Sequence, residues 1–142
     1  TSRATMTAVA TNQVQAGGRA PDTTGTNQVQ NSNPGVGVFS AGSWSYITAV
    51  IDYAAKDVTF YKNGAVVSDD GTALVWTASV LDSTSSANAA LGSEDDGSGT
   101  FFSGRMDEIR FANTGRSAAW IAADYKSTSD SFISFGSEEL GR

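Results

Sequence analysis

Phe101-Phe102-Ser103-Gly104-Arg105-Met106-Asp107-Glu108-Ile109-Arg110-Phe111 is the stretch that decides how this chain is read. Successive side chains of a β-strand point to opposite faces. Asp107 therefore shares a face with Ile109 and Phe111, while Met106 shares the other with Glu108. The apolar content predicts a buried strand. A carboxylate on its apolar face needs partners, because burying one unpaired costs several kcal/mol. Two roles fit Asp107: a catalytic or metal-binding acid, or a structural acid that ties a loop to the sheet.

Upstream, Trp44, Tyr46, Thr48, Val50 and Asp52 alternate with Ser45, Ile47, Ala49 and Ile51. Both sets are largely apolar, which predicts a strand in the middle of a packed sandwich. Tyr53-Ala54-Ala55-Lys56-Asp57 makes a turn, and Val58-Thr59-Phe60-Tyr61-Lys62 is the next strand. Asn63-Gly64 is a strong hairpin signal, since both residues accept positive φ. Ala65-Val66-Val67 returns, and Asp69-Asp70-Gly71 turns again. Ala73-Leu74-Val75-Trp76-Thr77 and Ala89-Ala90-Leu91-Gly92 read as short strands.

Downstream, Ser117 caps a short helix near residues 117–125, with Trp120, Ile121, Asp124 and Tyr125 on one face. Ser131-Phe132-Ile133-Ser134-Phe135 reads as a last strand. At the other end, Thr5-Met6-Thr7-Ala8-Val9-Ala10 alternates. Thr-Asn-Gln-Val-Gln occurs at 11–15 and again at 26–30, with Gly17-Gly18 and Pro21-Asp22 between the copies, which predicts two similar polar strands around a loop. Short strands separated by turn signals indicate an all-β, antiparallel β-sandwich or jelly roll with one short helix.

The 142 residues suffice for one domain. A compact fold of this mass exposes about 6,900 Å². There is no cysteine, hence no disulfide or thiolate chemistry, and no histidine, the commonest metal ligand and general base. The net charge is −6 and the basic residues are scattered, which argues against nucleic acid and anionic membranes. No apolar run is long enough for a membrane span. Thr1 in place of a methionine suggests a processed or cut chain. Small polar residues abound and lysine is rare, a composition associated with extracellular, cell-surface or virion-surface β-proteins.

The ordered set from Trp44 through Asp52, Tyr61-Lys62-Asn63-Gly64, Leu91-Gly92, Phe102 to Arg110, and Arg116-Ser117 leading to Trp120-Ile121 and Tyr125 resembles a known family. It is similar to the laminin-G-like branch of the concanavalin A-like lectin/glucanase fold, in its bacterial or phage surface-protein form, over residues 44–136. The resemblance implies one laminin-G-like β-sandwich spanning 1–142. Family members carry strands, one with its own Trp, before the Trp44 strand. Residues 1–40 have no Trp and are short for that role. The implied consequence is a sandwich lacking N-terminal strands, its edge completed by a neighbouring chain, a homo-oligomer, or a preceding segment.

Glucanase relatives use two glutamates along one strand, and retaining chemistry needs carboxyls about 5–5.5 Å apart. Asp107 and Glu108 are adjacent and point to opposite faces, and no Glu-x-Asp-x-x-Glu pattern exists. With no base for a serine nucleophile either, the expectation is no enzyme. Asp107 is then a structural acid, hydrogen-bonded to loop N–H groups, Arg105 or Arg110. Asp69, Asp70, Asp95 and Asp96 lie in two acidic loops. Calcium takes six to eight oxygens, so one loop is inadequate and two meeting would build a site; laminin-G-like relatives sometimes bind calcium at a sandwich rim. Otherwise no cofactor is implied. Trp76, between polar loops, is a candidate sugar platform or an edge-packing residue, and Phe101 or Phe102 must face outward. Trp44 and Trp120 read as core. The function expected is non-catalytic recognition of a glycan or protein surface through rim loops 68–72, 82–88 and 93–100, as in adhesion or attachment. The alternative is a structural or decorating subunit of a virion or cell-surface assembly.

Overall fold

The computed structural model describes residues 4–9, 12–21, 28–31, 37–76, 90–93, 101–134 and 136. The first sheet holds β1 (Ala4–Val9), β2 (Gln13–Gly18) and β3 (Gln28–Asn31), in that order and antiparallel. Both copies of the pentapeptide enter this sheet at their glutamine, Gln13 and Gln28, and pair as neighbours with Gln15 opposite Asn31. Among the described residues the N-terminal segment thus supplies three paired strands without a Trp.

The second sheet holds β4 (Ile47–Asp52), β5 (Asp57–Lys62) and β6 (Ala65–Val67), again antiparallel. Asn63 and Gly64 turn β5 into β6 with φ of 51° and 78°, as the Asn-Gly pair predicts. Gly64 is required twice over: a Cβ there would lie 3.1 Å from Ala122 Cα, on the helix that packs against the turn.

The two sheets pack face to face. Val14, Ala16 and Ala20 from the first side meet Val58 and Phe60 of β5, with Val38, Leu74 and Trp76 completing the buried cluster. Ile47, Ala49 and Ile51 lay one face of β4 against it. Residues 73–76 form no strand, yet they keep its alternation: Leu74 and Trp76 are buried and Val75 is exposed.

Gln30 is a buried polar residue that the alternation pattern does not reveal. Its Oε1 accepts from the Val58 N–H at 2.8 Å, so a β3 side chain satisfies a β5 backbone donor across the sandwich. Lys62 Nζ similarly donates to the Gly37 carbonyl at 2.8 Å.

The one described helix, α1 (Ala118–Thr128), begins where expected and runs three residues further. Ser117 Oγ accepts from the Trp120 N–H at 3.2 Å, and Lys126 sits in the last turn, where a cation complements the helix dipole. Ile121 is its buried anchor.

Four expected strands do not form among the described residues: those at 73–76, 90–92, 101–111 and 131–134. Among the described residues, 101–111 run without a sheet partner beyond the bridge of Phe101 to Ser93 and a Phe102 N–H bond to the Gly92 carbonyl at 2.8 Å. Glu108 takes a left-handed φ of 53°, which breaks the pleat a strand needs. Residues 131–134 are likewise outside any strand, with Phe132 and Ile133 exposed; Phe135 lies outside the described residues.

A candidate recognition cleft beside β4

Ile47, Ala49 and Ile51 face the core, so Tyr46, Thr48 and Val50 point the other way. An open, irregular void of about 2960 Å³ runs around β4, lined by β1, by both faces of β4, by the 101–116 segment and by α1. Trp44, Phe101, Phe111 and Trp120 line it, and they are 67, 70, 87 and 44% exposed. Trp120 is not bare: the Arg116 guanidinium sits 4.9 Å above its ring, a cation–π contact.

A polar cluster faces the same cleft. Arg110 Nη1 donates to Asp124 Oδ1 at 2.6 Å and Nη2 to Glu108 Oε2 at 2.7 Å. The Tyr46 hydroxyl donates to the other Asp124 oxygen, and the rings of Tyr46 and Tyr125 lie 5.9 Å apart. One carboxylate on α1 therefore gathers a phenol from the β4 side and a guanidinium from the 101–116 segment. Burial, then the bond to Asp124 and its negative charge, raise the Tyr46 hydroxyl above the usual tyrosine range. Hydrogen bonds to Glu108 and then Asp124 hold Arg110 in its charged form.

The residues singled out by sequence are scattered. Trp76 is no platform: it is fully buried, its ring stacks on Tyr53 at 4.7 Å, and its Nε1 donates to the Tyr53 carbonyl at 2.9 Å. It takes the inward position in the alternation of 73–76, among the buried residues between the sheets. Trp44 and Trp120, expected in the core, are instead on the cleft wall. Trp44 precedes the first residue of β4, so the sheet does not carry it inward, and Trp120 lies beside Ile121, which takes the buried position. Phe101 and Phe102 are both exposed, since the segment is not a strand with an inner face.

Asp107 is exposed, so its expected place on a buried face is corrected. With no pleat at Glu108 there is no buried face, and Asp107 Oδ1 accepts from the adjacent Glu108 N–H at 2.9 Å rather than from a distant loop or arginine. Asp69 Oδ1 and Asp70 Oδ1 accept from Gly71 N–H at 2.7 Å and Thr72 N–H at 3.0 Å, which is turn chemistry. Asp95 and Asp96, and with them most of rim loops 82–88 and 93–100, lie outside the described residues. Among the described residues no three acidic side chains gather as a metal site.

The Tyr46–Asp124–Arg110–Glu108 cluster escaped sequence reading. Glu108 and Arg110 sit two apart, a same-side spacing in extended chain. Asp124 joins Arg110 across 14 residues and Tyr46 across 78, which only the fold brings together.

Among the described residues the chain is two three-stranded antiparallel sheets, one helix and an aromatic-lined cleft. Comparison with family models gives the family: Laminin_G_3, of the concanavalin A-like lectin/glucanases superfamily, matches residues 5–122. The chain belongs to this family, and the match starts in β1, well before the residues 44–136 that carried the resemblance. Its fold is therefore the concanavalin A-like β-sandwich, and its superfamily is one of carbohydrate- and ligand-binding modules. Searches of curated proteins and of solved structures found no match. No helix among the described residues is long and apolar enough to cross a membrane.

Proposed function

We propose that the chain is a non-catalytic glycan-recognition module of an extracellular surface protein, and that the cleft beside β4 is its binding site. The observation that carries the reading is the set of aromatic side chains left exposed on the wall of one cleft, next to fixed hydrogen-bonding groups. Flat aromatic faces stack on the apolar C–H faces of sugar rings, and a few placed polar groups orient the hydroxyls. Glu108, Arg110 and Asp124 supply both acceptors and donors from one pre-organised cluster.

The charges favour neutral sugars. Asp52, Asp107, Glu108 and Asp124 line the cleft against Arg105, Arg110 and Arg116, leaving it net negative. The cluster also speaks against hydrolysis. A glycosidase needs one carboxyl holding a proton to donate and another free to attack or to activate water. Here both carboxylates accept hydrogen bonds from the same guanidinium.

A glycan array spanning neutral, sialylated and sulfated structures tests the reading. Binding to neutral glycans, without release of reducing sugar, is expected. Trp120→Ala should weaken it without lowering the melting temperature. Silence across the array, or turnover of a bound glycan, would overturn it.

A further inference from the structure

We propose that Glu108 is the group of the cleft that reads a sugar hydroxyl, with Arg110 beside it and with Asp124 and Tyr46 behind as positioning residues. The inference rests on the cleft being the glycan site, as proposed above, and names which group of that site makes the polar contact.

The hydrogen bonds separate the two carboxylates of the cluster by what each has left to offer. Both oxygens of Asp124 are engaged, Oδ1 by Arg110 and Oδ2 by the Tyr46 hydroxyl, and its side chain is only 14% exposed. Glu108 differs on each point. Arg110 Nη2 engages its Oε2 alone, and its side chain is 52% exposed on the wall of the cleft. Oε1 is left to accept a hydroxyl hydrogen, and a carboxylate makes that bond stronger than a neutral acceptor does. Arg110 has five N–H donors, of which these two bonds use two. An ionised acceptor and a donor therefore stand side by side. Sugar hydroxyls both donate and accept, so a neighbouring pair of them matches this arrangement.

The backbone supplies a second, independent observation. Glu108 sits in the left-handed region at φ 53°, where a residue with a Cβ is strained. Asn12, Asn63 and Asp130 share that region but are of the types that tolerate it, and Lys56 lies in the turn between β4 and β5. Glu108 is a glutamate outside any such turn. Strain of this kind persists where the surroundings hold it, and it gathers at functional sites. Here the Glu108 N–H bonded to Asp107 and the carboxylate bonded to Arg110 hold it. Asparagine would relieve the backbone at this position, so the glutamate is kept for its carboxylate.

Calorimetric titration with the best neutral glycan from the array and with its monodeoxy analogues tests the assignment. The parent should bind one analogue roughly tenfold more weakly than the intact glycan. Glu108→Asn should bind the intact glycan about tenfold more weakly than the parent does, and should no longer distinguish it from that analogue. Its melting temperature should equal or exceed the parent's, because the backbone strain is relieved. Tyr46→Phe should weaken both ligands by the same factor and keep the discrimination, as befits a positioning residue. Discrimination that survives in Glu108→Asn, or that is lost only in Tyr46→Phe, would overturn the assignment, and so would a lower melting temperature of Glu108→Asn. Binding that falls in Trp120→Ala but not in Glu108→Asn would overturn this assignment alone and leave the glycan site standing. Silence across the array would overturn the site and this assignment with it.

Discussion

Tyr46 and Asn63 hold each other by two hydrogen bonds: the Asn63 N–H donates to the Tyr46 carbonyl at 2.8 Å, and the Tyr46 N–H donates to Asn63 Oδ1 at 3.0 Å. The side chain of a turn residue thus extends the β4–β5 ladder one step beyond the strand. The same Tyr46 reaches Asp124 with its hydroxyl, so one residue joins the hairpin to α1 and to the cleft cluster. Asn63→Gly keeps the positive φ but removes the acceptor, and should cost about 1 kcal/mol. Asn63→Ala adds the left-handed penalty of about 1–2 kcal/mol. Urea unfolding of the two variants checks the order; equal stability of both with the parent would show that the pair carries no weight.

Trp76 is the centre of the core, and its removal is a stability change. Trp76→Ala should cost about 3–5 kcal/mol through the cavity left behind. Trp76→Phe should cost less and leave glycan affinity as it was. Loss of affinity in Trp76→Phe at an unchanged melting temperature would restore the platform role that its burial denies.

Gln30 ties the two sheets through one backbone donor. Gln30→Leu leaves the Val58 N–H buried without its acceptor, at a cost of about 1–3 kcal/mol. Chemical denaturation measures this directly. A neutral effect would mean that the Val58 N–H finds another partner.

The Tyr46 hydroxyl has a folded-state pKa above its ordinary value near 10. The folded state therefore holds this proton more tightly than the unfolded chain does. The stability linked to it is fully present below pH ~10 and is lost as pH rises through the higher folded value. Tyr53, raised by burial, acts in the same window and sign. Melting curves from pH 8 to 11 should show the parent falling, and Tyr46→Phe falling less steeply. Parallel curves would contradict the assignment.

Much of the fold was legible because local chemistry and tertiary environment agree. Asn63-Gly64 demands positive φ and gets it, Ser117 caps the helix it precedes, and the repeated pentapeptide marks two neighbouring strands. The 101–111 segment misleads because alternation describes what a strand would bury, not whether a partner strand is there. One residue, Glu108, in the left-handed region cancels the pattern. Trp residues mislead for a related reason. Size favours burial on average, but Trp44 lies just ahead of its strand and Trp120 beside the helix's buried position, whereas Trp76 keeps an inward parity that its polar flanks conceal. The cleft cluster was least legible. Its members meet through the packing of α1 against β6 and the turn before it, and no spacing in the chain encodes that.

The central claim is that glycans are recognised at the cleft and not at the core tryptophan. The chain has three tryptophans, so a nitrogen-15 correlation spectrum carries three indole N–H signals. In a titration with the best neutral glycan from the array, the signals of Trp44 and Trp120 should move together and saturate, while that of Trp76 stays in place. Saturable movement of the Trp76 signal alone, or stillness of all three while the glycan binds, would contradict the account.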